Sequence, residues 1–182
     1  MNSPESGPQN EGRAEATDVS IERAGVADLE TIQKLNQELC AKEHTEYDET
    51  INPDYPFTEK GEAYFKGRIE SEDGFVVLAK DESGTPVGYL VGGMAHPEDY
   101  RTVESFAELE NMFVGESARG KGVGGKLVNQ FREWCNERNV QIIRIEASAE
   151  NTEAIEFYKR HGSKVMNVTL EMNLDTDTEK DK

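Results

Sequence analysis

The stretch Arg119-Gly120-Lys121-Gly122-Val123-Gly124-Gly125 stands between an apolar, strand-like run and a helical pattern, and it limits what this chain can fold into. Glycines at this density let backbone N–H groups converge on an anion. Leu127, Val128, Phe131, Trp134 and Cys135 then recur at helical spacing. The loop therefore delivers its amides at a helix N-terminus, where phosphate is favoured. The expected ligand is a phosphorylated cofactor.

Three patterns share the stretch. Gly120 with Gly125-Lys126 is loosely a P-loop, but Leu127 stands where that motif needs Ser or Thr for magnesium. Gly120, Gly122 and Gly125 also spell G-x-G-x-x-G, with Glu146 about 20 residues on, at the place of a ribose-binding acid. Against that reading, the strand ends near Val114, so residues 115–119 intervene where a tight turn belongs. Too little chain follows Glu146 for a doubly wound sheet. A Rossmann-type NAD-dependent oxidoreductase stays as the distant alternative.

The third pattern, R/Q-x-x-G-x-G/A, runs from Arg119 to Gly124. It resembles the pyrophosphate loop of the Gcn5-related N-acetyltransferases, and Leu109 to Arg119 resembles that family's fourth strand and its connection. Glu116 stands where the family often has Pro, at a turn position with no chemistry. A second segment, Asn151-Thr152-Glu153-Ala154-Ile155-Glu156-Phe157-Tyr158-Lys159-Arg160-His161-Gly162, resembles the family's N-x-x-A-x-x-F-Y-x-x-x-G. The resemblance covers Ser20 to Leu174, with firm motifs from Phe106 to Gly162. It implies an α/β (α+β) fold: a mixed, mostly antiparallel sheet of six or seven strands flanked by about four helices. It also implies acetyl-coenzyme A as cosubstrate, and it allows a homodimer.

The chain has 182 residues, enough for one domain with a good core. It carries 37 acidic against 20 basic residues and a net charge of -17, which disfavours nucleic acid and anionic membranes as partners. The acidity suits a solvated surface in a salt-adapted organism better than attraction of a basic substrate, because high salt screens such attraction. No apolar run is long enough to span a membrane, and no signal peptide is expected. The two cysteines, Cys40 and Cys135, read as buried thiols in a reducing cytosol, so the expected location is cytoplasmic. The three histidines, His44, His96 and His161, are too far apart for a metal site, and no metal is expected.

Residues 1–18 read as a disordered acidic tail, 19–174 as the catalytic domain and 175–182 as a second acidic tail. Ser20 to Arg23 predicts a strand. Leu29, Ile32, Leu35 and Leu39 predict one face of a helix that starts at Asp28. Thr58 predicts the N-cap of a second helix that runs to about Ser71. Phe75 to Ala79 and Val87 to Val91 predict a hairpin about Asp81-Glu82-Ser83-Gly84. Phe106 to Val114 predicts the next strand, and the loop leads to a helix that ends near Arg138. Val140 to Ala147 predicts a strand, Asn151 to His161 a helix and Lys164 to Met172 a last strand.

The resemblance implies acetyl transfer from a thioester to an amine in a ternary complex. Gly120, Lys121, Gly122, Val123, Gly124 and Gly125 would cradle the pyrophosphate, with Arg119 at the loop's start. The backbone of Met112, Phe113 and Val114 would hold the pantetheine arm, and one of those N–H groups could polarise the thioester carbonyl. Freeing a lysine-like amine at pH 7 costs about 4–5 kcal/mol, because its pKa is near 10.4. Glu110 matches the place of a family general base, and Glu108 is the second candidate. Alternation predicts both on one strand face with Met112 and Val114. Tyr158 sits at the general-acid position, where its proton would go to the leaving thiolate. Asn151 would bond the pantetheine amides or cap its helix. The acceptor pocket would lie about Glu43 to Phe57 and Ala95 to Ser105, with His44, Tyr47, Tyr55, Phe57, His96 and Tyr100 as candidate lining. The acceptor is a primary amine, of a small molecule or of a protein. A coenzyme A-binding regulatory module without catalysis is the other reading.

Overall fold

The computed structural model describes residues 19–172 and 174, so the two tails expected at 1–18 and 175–182 lie outside the described residues. The chain divides into two compact units between Glu146 and Ala147.

The first unit is built on a five-stranded sheet in the order β1-β2-β3-β4-β5. The strands are β1 (Ser20–Arg23), β2 (Gly74–Lys80), β3 (Pro86–Ala95), β4 (Phe106–Val114) and β5 (Ile142–Ile145). Neighbours pair antiparallel except β4 with β5, which are parallel. The expected hairpin is β2–β3, with Asp81 Oδ1 accepting the N–H groups of Ser83 and Thr85 at 2.9 Å in its turn. A doubly wound dinucleotide sheet is mostly parallel, whereas here every pair but β4–β5 is antiparallel. The antiparallel β1–β4 block therefore removes the oxidoreductase alternative.

Helices cover both faces of this sheet. Helices α1 (Leu29–Glu46) and α2 (Glu59–Glu70) cover one face. Ile32 and Leu35 of α1 and Phe65 of α2 form a buried cluster there with Val76, Leu78, Tyr89, Val91 and Phe113. Thr58 caps α2 as expected, its Oγ1 accepting the Gly61 N–H at 3.1 Å. Helix α3 (Val123–Glu137) covers the other face through Leu127, Val128, Phe131, Trp134 and Cys135, all buried. The Phe131 ring lies 5.4 Å from Phe75 and stacks on Trp134 at 5.6 Å. This close approach requires Gly92, where a Cβ would stand 2.5 Å from the Glu108 carbonyl and 2.8 Å from the Phe131 ring. Cys40 and Cys135 are buried and unbridged, and burial pushes each thiol up to about 11.

The second unit contains helix α4 (Thr152–Arg160). The strand expected over Lys164 to Met172 does not form, so the sheet has five strands among the described residues and not six or seven. The sequence alternates there, with Met166, Val168, Leu170 and Met172 on one side, yet these side chains are 66%, 73%, 90% and 83% exposed. Alternation assigns side chains to faces but does not supply the neighbouring backbone that makes a strand. The strand expected over Val140 to Ala147 is likewise only Ile142–Ile145, the part that meets β4.

Candidate active site

Strand β4 carries most of the expected residues, and its register departs from simple alternation. Asn111 pairs with Val91 and Leu109 with Gly92, so Glu110 is an extra residue in β4 opposite one step of β3. Such a bulge turns consecutive side chains to one side. Glu110 and Asn111 both reach Tyr64 of α2. Glu108, paired with Gly93, lies on this same face of the sheet. Met112 and Val114, paired with Leu90 and Gly88, lie on the opposite face. The two glutamates thus share a face as expected, but Met112 and Val114 do not share it with them. The cause is the inserted residue, which resets the alternation.

The strand also opens along one edge. β4 and β5 pair only over Phe106–Leu109 and Ile142–Ile145, while β4 continues to Val114. From Glu110 to Val114 the strand has no sheet neighbour on the β5 side among the described residues. An extended chain can add its own N–H and C=O groups to such an edge. The Val114 carbonyl accepts the Arg119 Nε–H at 2.9 Å, so Arg119 ties the end of β4 to the start of the loop.

The glycine loop has the conformation that its composition predicts. Gly120 (φ 71°) and Gly122 (φ 81°) are left-handed, and neither has an atom within 4 Å of where a Cβ would stand. Glycine is therefore required here for backbone conformation and not to avoid protein atoms. Gly122 is the N-cap of α3 and offers no capping side chain. The first-turn amides of Val123, Gly124 and Gly125 have no intrahelical acceptor, and the next amide, of Lys126, closes on the Gly122 carbonyl at 3.1 Å. Gly120, Lys121 and Gly122 are exposed. Leu127, the residue that spoils the P-loop reading, is fully buried in the core. The loop thus presents N–H donors that have no acceptor among the described residues, at the positive end of a 15-residue helix.

Two carboxylate clusters flank β4. Glu110 Oε2 accepts the Tyr64 hydroxyl at 2.7 Å and Arg68 Nε–H at 3.0 Å, and a second guanidinium nitrogen of Arg68 bonds Oε1. Asn111 Nδ2 donates to Tyr64 Oη at 2.9 Å, and Asn36 Nδ2 donates to Tyr89 Oη at 2.7 Å and Asn111 Oδ1 at 3.3 Å. The second cluster centres on Arg144 of β5. Its Nη2 lies 3.0 Å from both oxygens of Glu98, and its Nη1 lies 3.4 Å from Glu108 Oε1. Its own backbone N–H, then Arg144, hold the Glu98 carboxyl down at about 2. The Arg144 contact ties loop 96–105 to the sheet, and Arg101 adds a 2.7 Å contact to Glu98 within the loop.

Of the acceptor-side residues, His44 places Nδ1 2.9 Å from the Ile51 carbonyl, while Tyr55, Phe57 and Tyr100 are 38%, 45% and 80% exposed. In the second unit, Asn151 Oδ1 accepts the Ala154 N–H at 3.0 Å and so caps α4. Tyr158 is half-buried, its ring edge-on to Phe157 at 5.1 Å. Among the described residues no group of three or more His, Cys, Asp and Glu could hold a metal ion, and no helix is long and apolar enough to cross a membrane.

Sequence reasoning missed Tyr64, Arg68, Asn36 and Arg144. Tyr64 and Arg68 stand one turn apart on α2, and that spacing was the available signal.

Comparison with known proteins identifies the family and the fold. The family described as acetyltransferase (GNAT) family matches residues 37–162. An uncharacterised N-acetyltransferase of Methanocaldococcus jannaschii is 36% identical over 100 residues, covering 54% of this chain and 43% of the relative. The N-acetyltransferase YhfO of Bacillus subtilis is 24% identical over 56% of this chain and 66% of its own length. The chain thus spans about two fifths to two thirds of these relatives. The BH1408 protein of Bacillus halodurans shares the fold, with a TM-score of 0.75 at 20% identity over 85% of this chain and 99% of that one. AAC(6')-Iy in complex with the bisubstrate analog CoA-S-monomethyl-acetylneamine shares it with a TM-score of 0.68 at 16% identity, covering 86% of this chain and 98% of that one.

Proposed function

The chain belongs to the acetyltransferase (GNAT) family, and we propose that it is an acetyl-coenzyme A-dependent N-acetyltransferase acting on a primary amine. The observation that carries the proposal is the loop: left-handed Gly120 and Gly122 lead into free amides at Val123, Gly124 and Gly125. That arrangement suits a pyrophosphate. The open β4 edge from Glu110 to Val114 suits the peptide-like pantetheine arm, with the backbone of Met112, Phe113 and Val114 as its partner.

Acetyl-coenzyme A supplies an acetyl thioester, whose C–S bond breaks as the amine nitrogen bonds the carbonyl carbon. Glu110 takes the proton that the ammonium must lose, directly or through water. A backbone N–H of Met112, Phe113 or Val114 steadies the negative charge that grows on the carbonyl oxygen. Tyr158 gives its proton to the departing sulfur and regains one from solvent. Asn151 uses its amide nitrogen toward the pantetheine, because its Oδ1 already caps α4.

The acceptor class is an amine of a small molecule or of a protein. The solved neighbours include aminoglycoside acetyltransferases, one in complex with sisomicin, so an aminoglycoside belongs among the first probes. The test is thiol release from acetyl-coenzyme A with sisomicin, spermidine, glycinamide and Nα-acetyl-lysinamide as acceptors. Amine-dependent release with any of them supports the proposal. Tight cofactor binding with no release from any of them, or from a wider set of amines, favours the silent coenzyme A-binding module.

A further inference from the structure

We infer that Arg68 and Tyr64 are positioning residues that leave Glu110 one open acceptor site, on Oε1, and so fix the direction from which it receives the acceptor's proton. The inference rests on the reading of Glu110 as the base.

An ionised carboxylate offers about four acceptor positions. Tyr64 Oη–H and Arg68 Nε–H fill both positions on Oε2. The second nitrogen of the Arg68 fork fills one position on Oε1. Among the described residues, one position on Oε1 is left. The two-pronged Arg68 contact also fixes the plane of the carboxylate, which a lysine could not do.

Each part of this clamp is itself held. The bulge in β4 turns Glu110 toward α2. Tyr64 receives the Asn111 amide on its oxygen, so its own proton points at Glu110. Burial first, and the Glu110 charge second, push the Tyr64 phenol up, so it stays a donor and does not relay protons. Gly93 makes room for the guanidinium, because a Cβ there would stand 2.7 Å from an Arg68 nitrogen. Arg68 and Glu110 are 27% and 15% exposed, which protects the pair from solvent competition.

The proton balance is simple. One proton leaves the ammonium, directly or through one water, and bonds Oε1. The neutral amine keeps its lone pair for attack, and Glu110 later returns the proton to solvent. Arg68 and Tyr64 keep their protons throughout.

The test compares Glu110→Gln, Arg68→Met, Arg68→Lys, Tyr64→Phe and the double variant Arg68→Met/Glu110→Gln. The assay uses the panel amine with the fastest thiol release, with Tm measured in parallel. Glu110→Gln is expected to lower kcat by about 100-fold. Arg68→Met is expected to lower kcat by about 10- to 100-fold, with KM for acetyl-coenzyme A within about twofold. The double variant should be no slower than Glu110→Gln, because both changes remove one function. Arg68→Lys should restore only part of the rate, and Tyr64→Phe should lose less than Arg68→Met. If Arg68→Met fails to fold, Arg68→Lys and Tyr64→Phe decide. Slow Glu110→Gln beside wild-type rates for Arg68 and Tyr64 variants would overturn the inference and leave Glu110 as base. Losses that multiply in the double variant would also overturn it. A wild-type rate for Glu110→Gln would instead remove the reading beneath it.

Discussion

Tyr158→Phe is expected to lower kcat by about 100-fold while leaving the affinity for acetyl-coenzyme A nearly unchanged. The size follows from the leaving group. A thiol has a pKa near 8.5, so its thiolate departs fairly well without help, and the loss should sit at the low end of the 10²–10⁴ range for general acids. The phenylalanine keeps the ring and its edge-on contact with Phe157, and the change removes the hydroxyl. Asn151 and its cap are untouched. Initial rates of thiol release at saturating amine check this. Unchanged turnover would take Tyr158 out of the chemistry.

Phe131→Ala should cost about 3–5 kcal/mol of stability, the range for deleting a fully buried aromatic. Phe131 is 0% exposed and joins α3 to the sheet through Phe75 and Trp134. It also lies against Gly92, where no side chain could move in to fill the space. The cavity would therefore stay open, which places the cost in the upper part of that range. Because α3 presents the glycine loop at its N-terminus, loosening this contact should also weaken cofactor binding. Denaturant melts followed by tryptophan fluorescence measure the first effect. A loss under about 1 kcal/mol would contradict the packing described here.

How much of this was legible in the sequence depended on whether the signal was contiguous. The glycine loop, the apolar face of α3 and the Thr58 cap each lie within one short stretch, and each formed as expected. The bulge at Glu110 could not be read, because an extra residue shows only against the register of β3. It moved Met112 and Val114 to the other face. Arg68 and Tyr64 could not be singled out, since nothing in α2 announces a glutamate 42 residues beyond Arg68. Lys164 to Met172 alternates from Met166 onward, but a strand also needs a neighbour, and this segment is paired with none among the described residues.

Glu98, Glu108 and Glu110, the carboxylates about β4, are each engaged by Arg144, Arg101 or Arg68. The net charge of -17 is therefore not concentrated in these side chains.

The most direct measurement is a calorimetric titration with acetyl-coenzyme A, with NADH as control, in low and in molar salt. Saturable binding of acetyl-coenzyme A and no response to NADH is the predicted result. No binding of acetyl-coenzyme A at either salt concentration would contradict the assignment of the glycine loop and, with it, the proposed acetyl transfer.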